Sequence, residues 1–575
     1  MSLKIHIHDR IYSSWDIYNI SDNTLSTISI NPITNKLLSG DIIDETGQLI
    51  DSHIRNTKSL AGILILNKTY GRCQKNNGTS GKLYYKCVPN DKHIPEFLIP
   101  YEEKNIGFNK AQINKFILFK FSHWNDKHPV GTLNSVIGDV TDMSSFYEYQ
   151  LQCKDLVKSI KKFTSDAHNS YKLLGATLVP NCSISYINHY NLQDRRSEYI
   201  ISVDPQDSTD LDDAFSIKNN VISIYIANVP ILLDHLKLWG SFSERISTIY
   251  LPDRKCAMLP PLLSEHLCSL LENQERGALC LDVEFSLEDA SILSINLLPV
   301  VIKVSKNYAY NEDKLLNDKC YKQVHAAVLA MNKKQKYMRE ICDSHDVVAY
   351  LMLLINAKCA DILNDHETGI FRIINIKEPL KEEQPGQPDS GSGSMPAETY
   401  NLIKLWQTSC GQYTSHKNNI GHQLINSGIG VSNYAHISSP IRRLVDLLNM
   451  LKIQSKLNIK LSKEALVFYE YWENQLTYIN TTMRSIRKIQ TDCNLLNLCV
   501  TNSLVLEEIY EGYLFDKIIR PNKLFQYTVY IPKIKMFSRI NMYEEYPDYA
   551  CGNFKLYLIQ DGTTFKQKIK AAKVE

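Results

Sequence analysis

The sequence has no apolar run approaching the about 20 residues a membrane-spanning helix needs. Its N-terminus, MSLKIHIHDR, has none of the apolar core of a signal peptide. Both absences lead us to expect an intracellular, cytoplasmic chain with no membrane partner. Charge of one sign is missing too, since 64 Lys and Arg face 62 Asp and Glu, a formal net charge of +2. That balance neither identifies nor excludes a polyanion binder, because a channel needs local positive potential and not a basic average. Among 14 cysteines there is no CxxC pair, the nearest two being Cys493 and Cys499. Zinc-ribbon and dithiol redox motifs are therefore excluded, and scattered reduced thiols fit a cytosol-like compartment. No repeat of solenoid or propeller period is present.

What remains is ordinary globular composition, 44% apolar and 22% charged over 575 residues, which excludes a disordered chain and allows about four domains. Residues 1–59 look β-like. From Leu60 to about Leu151, the runs AGILILNKTYG, GKLYYKCVP, EFLIPY and KFILFKF, separated by turn residues, predict a small antiparallel barrel over 60–151. Residues 152–500 mix strands such as YIISV and VISIYIANV with VVAYLMLLINAKCADIL, whose apolar period is helical. The segment 501–575 returns to β character and predicts a second small barrel. Residues 381–398, KEEQPGQPDSGSGSMPAE, concentrate Pro, Gly and Ser and predict a loop. Its core, Gly391 to Ser394, reads either as an engineered replacement of a longer loop or as a natural insert.

The densest chemical signal is SVDPQDSTDLDDAF, with Asp204, Asp207, Asp210, Asp212 and Asp213 and no Lys or Arg. An acidic run is most often a solvated turn. Here it follows the apolar strand YIISV and leads into Ala214 and Phe215, where uncompensated charge is costly. A divalent cation resolves that conflict. An EF-hand loop starting at Asp204 would need Gly sixth and Glu twelfth, and Thr209 and Phe215 stand there. Oxygen-only ligands that leave room for phosphates favour Mg²⁺, with Mn²⁺ as the alternative.

A second signal is YAHISSPIRRLVDLLNML, residues 434–451. Ser439 and Pro440 predict an N-cap and first-turn proline, and Ile441, Leu444, Val445, Leu448 and Leu451 the buried face of the helix. Arg442 and Arg443 would then lie in the first turn, where the helix dipole disfavours cations and, with the arginines, would bind an anion such as phosphate. Simple pairing with surface carboxylates is the competing reading.

Taken together, these motifs resemble the ribonuclease II family of hydrolytic 3′ to 5′ exoribonucleases. The acidic loop resembles that family's DPxDxxDxDDA signature, and SSPIRRLVDL its TSPIRRxxDL signature with Ser438 for Thr. Further matches run in the same order: HPVGTLNSVIGD (128–139), DRR (194–196), YLPDRKCAMLPPLLSEHLCSL (250–270) and VIKVSKNYAYNED (301–313). The resemblance covers about residues 60–500. It implies a multidomain α/β and β architecture, in which a mixed α/β catalytic domain (152–500) is flanked by OB-type β-barrels. The leading barrel would be of cold-shock type, the 1–59 region part of another, and the 501–575 barrel RNA-binding, with no endonuclease domain preceding them.

Carried over by position, the resemblance assigns Asp204, Asp210, Asp212 and Asp213 to metal binding and catalysis, and Asp207 to structure. Arg442 becomes the catalytic arginine, Arg443 a phosphate contact and Asp446 its orienting partner. Tyr250 would clamp the 3′-terminal nucleotide, and Tyr310 is another active-site tyrosine. The implied substrate is single-stranded RNA, cut to nucleoside 5′-monophosphates with Mg²⁺ or Mn²⁺. Departures are Asn228 for an aspartate, and Ala349 and Tyr350 for two glutamates that help some members recognise ribose. These last predict weaker discrimination against single-stranded DNA, unless Asp346 substitutes. Near RSIRKIQTD (484–492) nothing aligns, and the region from Phe371 to Tyr413 is shorter than usual. Competing functions are an inactive RNA-binding member of the same fold and a cold-shock-type RNA chaperone, separable by digestion and by metal dependence.

Overall fold

Along Leu3–Ile7 every second side chain is buried, with Leu3, Ile5 and Ile7 inward and Lys4 and His6 outward, as expected of a strand with one wet face. The computed structural model describes residues 2–74, 80–102, 113–173, 189–373, 395–409, 411–419, 433–520, 523–560 and 567–574. That first strand, β1, joins β2 (Trp15–Asn19), β3 (Ile42–Ile43) and β4 (Leu49–Asp51) in a sheet of order β2-β1-β3-β4. Its buried face shares one core with a closed barrel of β5 (Leu60–Gln74), β6 (Ser80–Pro89), β7 (Phe97–Tyr101), β8 (Lys115–His123) and β9 (Val130–Asp139). The runs that predicted strands over 60–123 all lie in this barrel. It is not wholly antiparallel as expected, because β7 and β9 meet in parallel with Leu98 opposite Val130.

A seven-stranded mixed sheet forms the centre, in the order β10-β17-β16-β13-β12-β11-β18. Its strands are β10 (Gln193–Asp194), β11 (Ile201–Asp204), β12 (Asp213–Lys218), β13 (Val221–Ala227), β16 (Glu275–Phe285), β17 (Ile292–Lys303) and β18 (Lys306–Ala309). A short hairpin, β14 (Ile249–Tyr250) with β15 (Lys255–Cys256), interrupts the sequence between β13 and β16. Alternation sends Phe215, Ile222, Ile224, Ile226, Leu279 and Leu281 to one face. Ala214, Tyr225, Ala227, Ala278 and Cys280 take the other. Both faces are therefore apolar and both are covered. On the first lie α1 (Lys319–Lys334) and α2 (Ser344–Asp365). The second shares its core with α3 (Leu444–Lys456) and α4 (Leu476–Thr501). Met450 and Ile453 of α3 reach the first core, so α3 is buried nearly all round.

β19 (Ile370–Ile373) pairs with β20 (Gln412–Ser415). The C-terminal region is a five-stranded antiparallel sheet, β21 (Ile509–Ile519), β22 (Phe525–Ile531), β23 (Met536–Met542), β24 (Cys551–Gln560) and β25 (Gln567–Val574), in the order β23-β22-β21-β24-β25. Residues 381–394 of the predicted loop lie outside the described residues. The described cysteines are free thiols. No helix among the described residues is long and apolar enough to cross a membrane.

Candidate active site

Because β11 and β12 are adjacent and antiparallel, the chain must turn back between Asp204 and Asp213, and this return gathers the aspartates. The loop is tied down at several points. Ser269 Oγ accepts from the Leu211 N–H at 3.0 Å and donates to the Thr209 carbonyl at 2.9 Å, while Leu270 N–H donates to Leu211 O at 3.0 Å. Asp212 extends the ladder, its carbonyl accepting from Ala227 N–H at 2.8 Å. Asp207 is exposed with φ +66° at the loop's turn and faces none of this.

Burial dominates the electrostatics. It raises the Asp204 carboxyl to about 6, against the pull of the Ser202 hydrogen bond and Arg442. Asp212 is raised to about 7, because burial outweighs both the Arg442 guanidinium and the Ile441 N–H. Asp213 is raised well above the usual carboxylate range by burial and by the charges of Asp204 and Asp212. Asp204 Oδ2 is buried without a hydrogen-bond partner. An oxygen-only set short of positive charge, with an orphaned carboxylate oxygen, fits a hard divalent cation.

Arg442 approaches from the opposite side. Its Nε donates to Asp212 Oδ2 at 3.1 Å, its Nη2 to Ser439 Oγ at 2.9 Å, and the Ile441 N–H to Asp212 Oδ1 at 2.8 Å. The guanidinium side chain stays 46% exposed while Asp212 is 2% exposed, so one face of the arginine remains open. Arg443 turns back instead, with Nη2 2.8 Å from Asp446 Oδ1, which also accepts from Ser439 N–H at 2.8 Å. The helix does not start where Ser439 and Pro440 suggested. Residues 440–442 are a turn, Arg443 is the N-cap with extended backbone, and α3 begins at Leu444. The arginines therefore precede the helix, because Ser439 is already engaged by Arg442 and Asp446 and cannot cap it.

Asn356 of α2 fixes this segment. Its Oδ1 accepts from the Ile437 and Ser438 amides at 2.9 and 3.2 Å, and its Nδ2 donates to Tyr434 OH and Ser438 Oγ at 3.0 and 3.2 Å. Buried His436 is bonded to Tyr413 OH through Nδ1 at 2.7 Å. Burial holds it well below its ordinary range, helped by Arg443, Arg372, Arg442 and Arg487. Four guanidinium groups thus converge on His436, and one of them, Arg442, also touches the carboxylates. Sequence reasoning missed Arg372 and Arg487, which lie far along the chain from the paired arginines.

Tyr250 and Lys255 are cross-strand partners, and both reach Asp210. Tyr250 OH donates to Oδ2 at 2.9 Å and Lys255 Nζ lies 3.2 Å from Oδ1, with further bonds to Thr209 Oγ1 and Glu265 at 2.7 and 2.8 Å. The Tyr250 N–H donates to Gln490 Oε1 of α4 at 3.1 Å, which gives the unaligned 484–492 segment a place at the site. Tyr310 follows β18 and donates its N–H to Asp204 O at 3.1 Å. Its hydroxyl is held above the usual tyrosine value by burial and by Asp213 and Asp204. Lys255 carried no sequence signal beyond its register with Tyr250.

Other expectations change. Tyr350 is fully buried, its ring 5.5 Å from that of Tyr337, so it cannot meet a ribose; Ala349 is only partly buried. Asp346 accepts from Cys342 N–H at 2.8 Å as a local brace. Donor atoms of Asp343, His345 and Asp346 lie within 4.8 Å of one another, but Asp343 also serves as the N-cap of α2. Asn228 is buried and receives a hydrogen bond from Gln454 Nε2. Arg195 pairs in a fork with Asp282, and Arg196 with Asp194 and Glu275, away from the acidic loop.

Residues 192–342 match the RNB domain. That match gives the chain an RNB domain over about a quarter of its length. The DIS3-like exonuclease 2 of Schizosaccharomyces pombe is 27% identical over 245 residues, 40% of this chain and 26% of that protein. The chain thus spans about a quarter of the length of this curated relative. Among solved structures, Mycoplasma genitalium RNase R in complex with ribose-methylated single-stranded RNA is similar at TM-score 0.64 and 17% identity, covering all of both chains. Yeast Ssd1, described as a pseudonuclease, is similar at TM-score 0.56 and 12% identity, over 94% of this chain and 78% of that one. The RNB domain covers the acidic loop, Tyr250 and Tyr310, while Arg442 comes from beyond it. At these identities the structural likenesses establish the fold, a mixed α/β body flanked by small β-rich regions.

Proposed function

We propose that the chain is a hydrolytic, metal-dependent 3′ to 5′ exoribonuclease that degrades single-stranded RNA to nucleoside 5′-monophosphates. The observation that carries this reading is the junction of Asp212 with Arg442 and the Ile441 amide, which brings the buried carboxylates against a half-exposed guanidinium.

Asp204, Asp210, Asp212 and Asp213 would hold Mg²⁺, with Mn²⁺ as the alternative. Divalent ions bound there supply an acidified water and neutralise charge on the scissile phosphate. Arg442, fixed at Nε and Nη2, keeps donors free on its open side for non-bridging oxygens and favours the more negative transition state. Arg443, braced by Asp446, adds positive potential for the backbone. Tyr250 is 38% exposed with its hydroxyl tied to Asp210, so its ring offers a stacking face for the 3′-terminal base beside the carboxylates. Tyr310 closes the site next to Asp204.

A 5′-labelled oligoribonucleotide incubated with Mg²⁺ should shorten progressively from its 3′ end, and EDTA should stop it. Internal cleavage would refute the directionality. The likeness to a pseudonuclease favours one second reading, an RNA-binding protein without catalysis, for which the same oligomer would be bound and left intact.

A further inference from the structure

Far from the carboxylates, three histidines meet where the N-terminal sheet touches the barrel. His6 on β1 and His8 just after it alternate with buried Ile5 and Ile7, so both point outward from one face. His93 comes from the turn between β6 and β7. The ring centroids of His6 and His8 lie 5.1 Å apart, and those of His6 and His93 5.5 Å apart. A zinc–nitrogen bond of about 2.0–2.1 Å puts a ring centroid about 3.2 Å from the ion, so two imidazoles on a tetrahedral ion have centroids about 5 Å apart. The spacings of His6 to each of its two neighbours match that figure.

The surrounding carboxylates reinforce the match. His8 Nε2 is 3.0 Å from Asp16 Oδ2, and His93 Nδ1 is 2.8 Å from Asp91 Oδ1. His8 and His93 thus each have one ring nitrogen engaged by a carboxylate, the arrangement that orients imidazole ligands on metals. Arg10 ties the same junction, donating to Pro89 O at 2.7 Å and Asp91 O at 3.3 Å. The donor nitrogens do not lie within one coordination sphere, and the rings, which are at least part-exposed, would have to turn about their side-chain bonds to share an ion.

We infer that His6, His8 and His93 form a binding site for a transition-metal ion of the zinc and copper class, which staples the N-terminal sheet to the barrel. Nitrogen ligation separates it chemically from the oxygen-only carboxylate site. Cu²⁺ added at pH 7.5 to the full chain should give an electron paramagnetic resonance spectrum with nitrogen splitting from more than one imidazole. Replacement by His6→Ala or His93→Asn should reduce that signal at least severalfold without changing RNA binding. With Zn²⁺ alone, amide hydrogen exchange in β1 and the 89–94 turn should slow in the wild type and in neither variant. A copper spectrum unchanged by both substitutions would overturn the assignment, as would zinc protection equal in wild type and variants.

Discussion

Asp204 and Asp213 stand at the ends of paired strands, and Asp212 continues the ladder through Ala227. The arginine segment 434–443 has little ladder of its own. Its backbone is tied to residues 246–248 by Thr248 N–H and Ser247 Oγ, each donating to Arg442 O at 2.9 Å, and by Leu444 N–H to Ile246 O at 2.9 Å. Side chains do the rest, chiefly Asn356, Asp446, Asp212 and Asn449. One wall is fixed by main-chain geometry and the other by buried polar groups. Changes of charge in the first should alter chemistry while the fold persists, and changes in the second should spread into stability.

Asp212→Asn breaks the comparison most deeply. The variant keeps an acceptor for the Ile441 amide but loses a carboxylate, and turnover should fall about 10³-fold or more, since loss of metal-held charge costs several kcal/mol. Affinity for single-stranded RNA should stay within a few-fold, measured by fluorescence anisotropy beside single-turnover cleavage. Near wild-type turnover would remove Asp212 from the chemistry.

Arg442→Lys tests the facing wall at its contact point. An ammonium keeps the charge but cannot bond Asp212 and Ser439 while presenting a planar fork to a phosphate. Turnover should drop about 10²-fold, with a smaller loss of affinity. A uniform loss of binding at unchanged turnover would make Arg442 a positioning contact.

Asn356→Ala acts on the arginine wall from behind, touching neither cation nor substrate. It strands the Ile437 and Ser438 amides and removes two donated bonds, and unsatisfied buried groups cost about 1–3 kcal/mol each. Denaturant unfolding should show a loss of about 2–4 kcal/mol, with turnover reduced by the displaced arginines. Full stability with normal turnover would mean that the ties to residues 246–248 suffice.

The same contrast explains what could be read from the sequence. The acidic loop was legible because its elements are local: an apolar strand, a turn and a second strand within eighteen residues, 201–218. So were the barrel strands, which are bounded by turn residues. The start of α3 was not, because the Ser-Pro signal for a helix start is overridden by bonds from Asp446 and Arg442, and Ile441 is held by Asp212 from 229 residues away. Asn356 acts across 81 residues and Gln490 across 240, and Arg372 likewise reaches the segment from a separate strand; none leaves a local trace. Tyr350 could have been placed: Val347, Leu353 and Leu354 share its helix face at spacings of three and four, and all are buried.

The smallest effect separates the walls by pH. His436, ordinarily 6.5, is held well below that value by burial first and then by Arg443, Arg372, Arg442 and Arg487, while the rings of Tyr413 and Tyr434 pack edge-on against it. A histidine with a lowered folded value keeps its contribution above the unfolded value and loses it as pH falls. Below about 6.5 the unfolded chain takes up a proton that the folded chain refuses, and stability declines by about 1.4 kcal/mol per pH unit until the folded value is reached. The buried carboxylates have raised values and act in the opposite sense, their contribution fading as pH rises toward 6 and 7. Total stability against pH therefore mixes the two walls, and a difference between proteins isolates one. His436→Asn retains a partner for Tyr413 OH but does not titrate. Its stability deficit at pH 7.5 should narrow between pH 6.5 and 5, read from urea midpoints of both proteins in the same buffers. A constant deficit over that range would show that the converging arginines do not hold His436 neutral, and with it that they do not form a single positive wall.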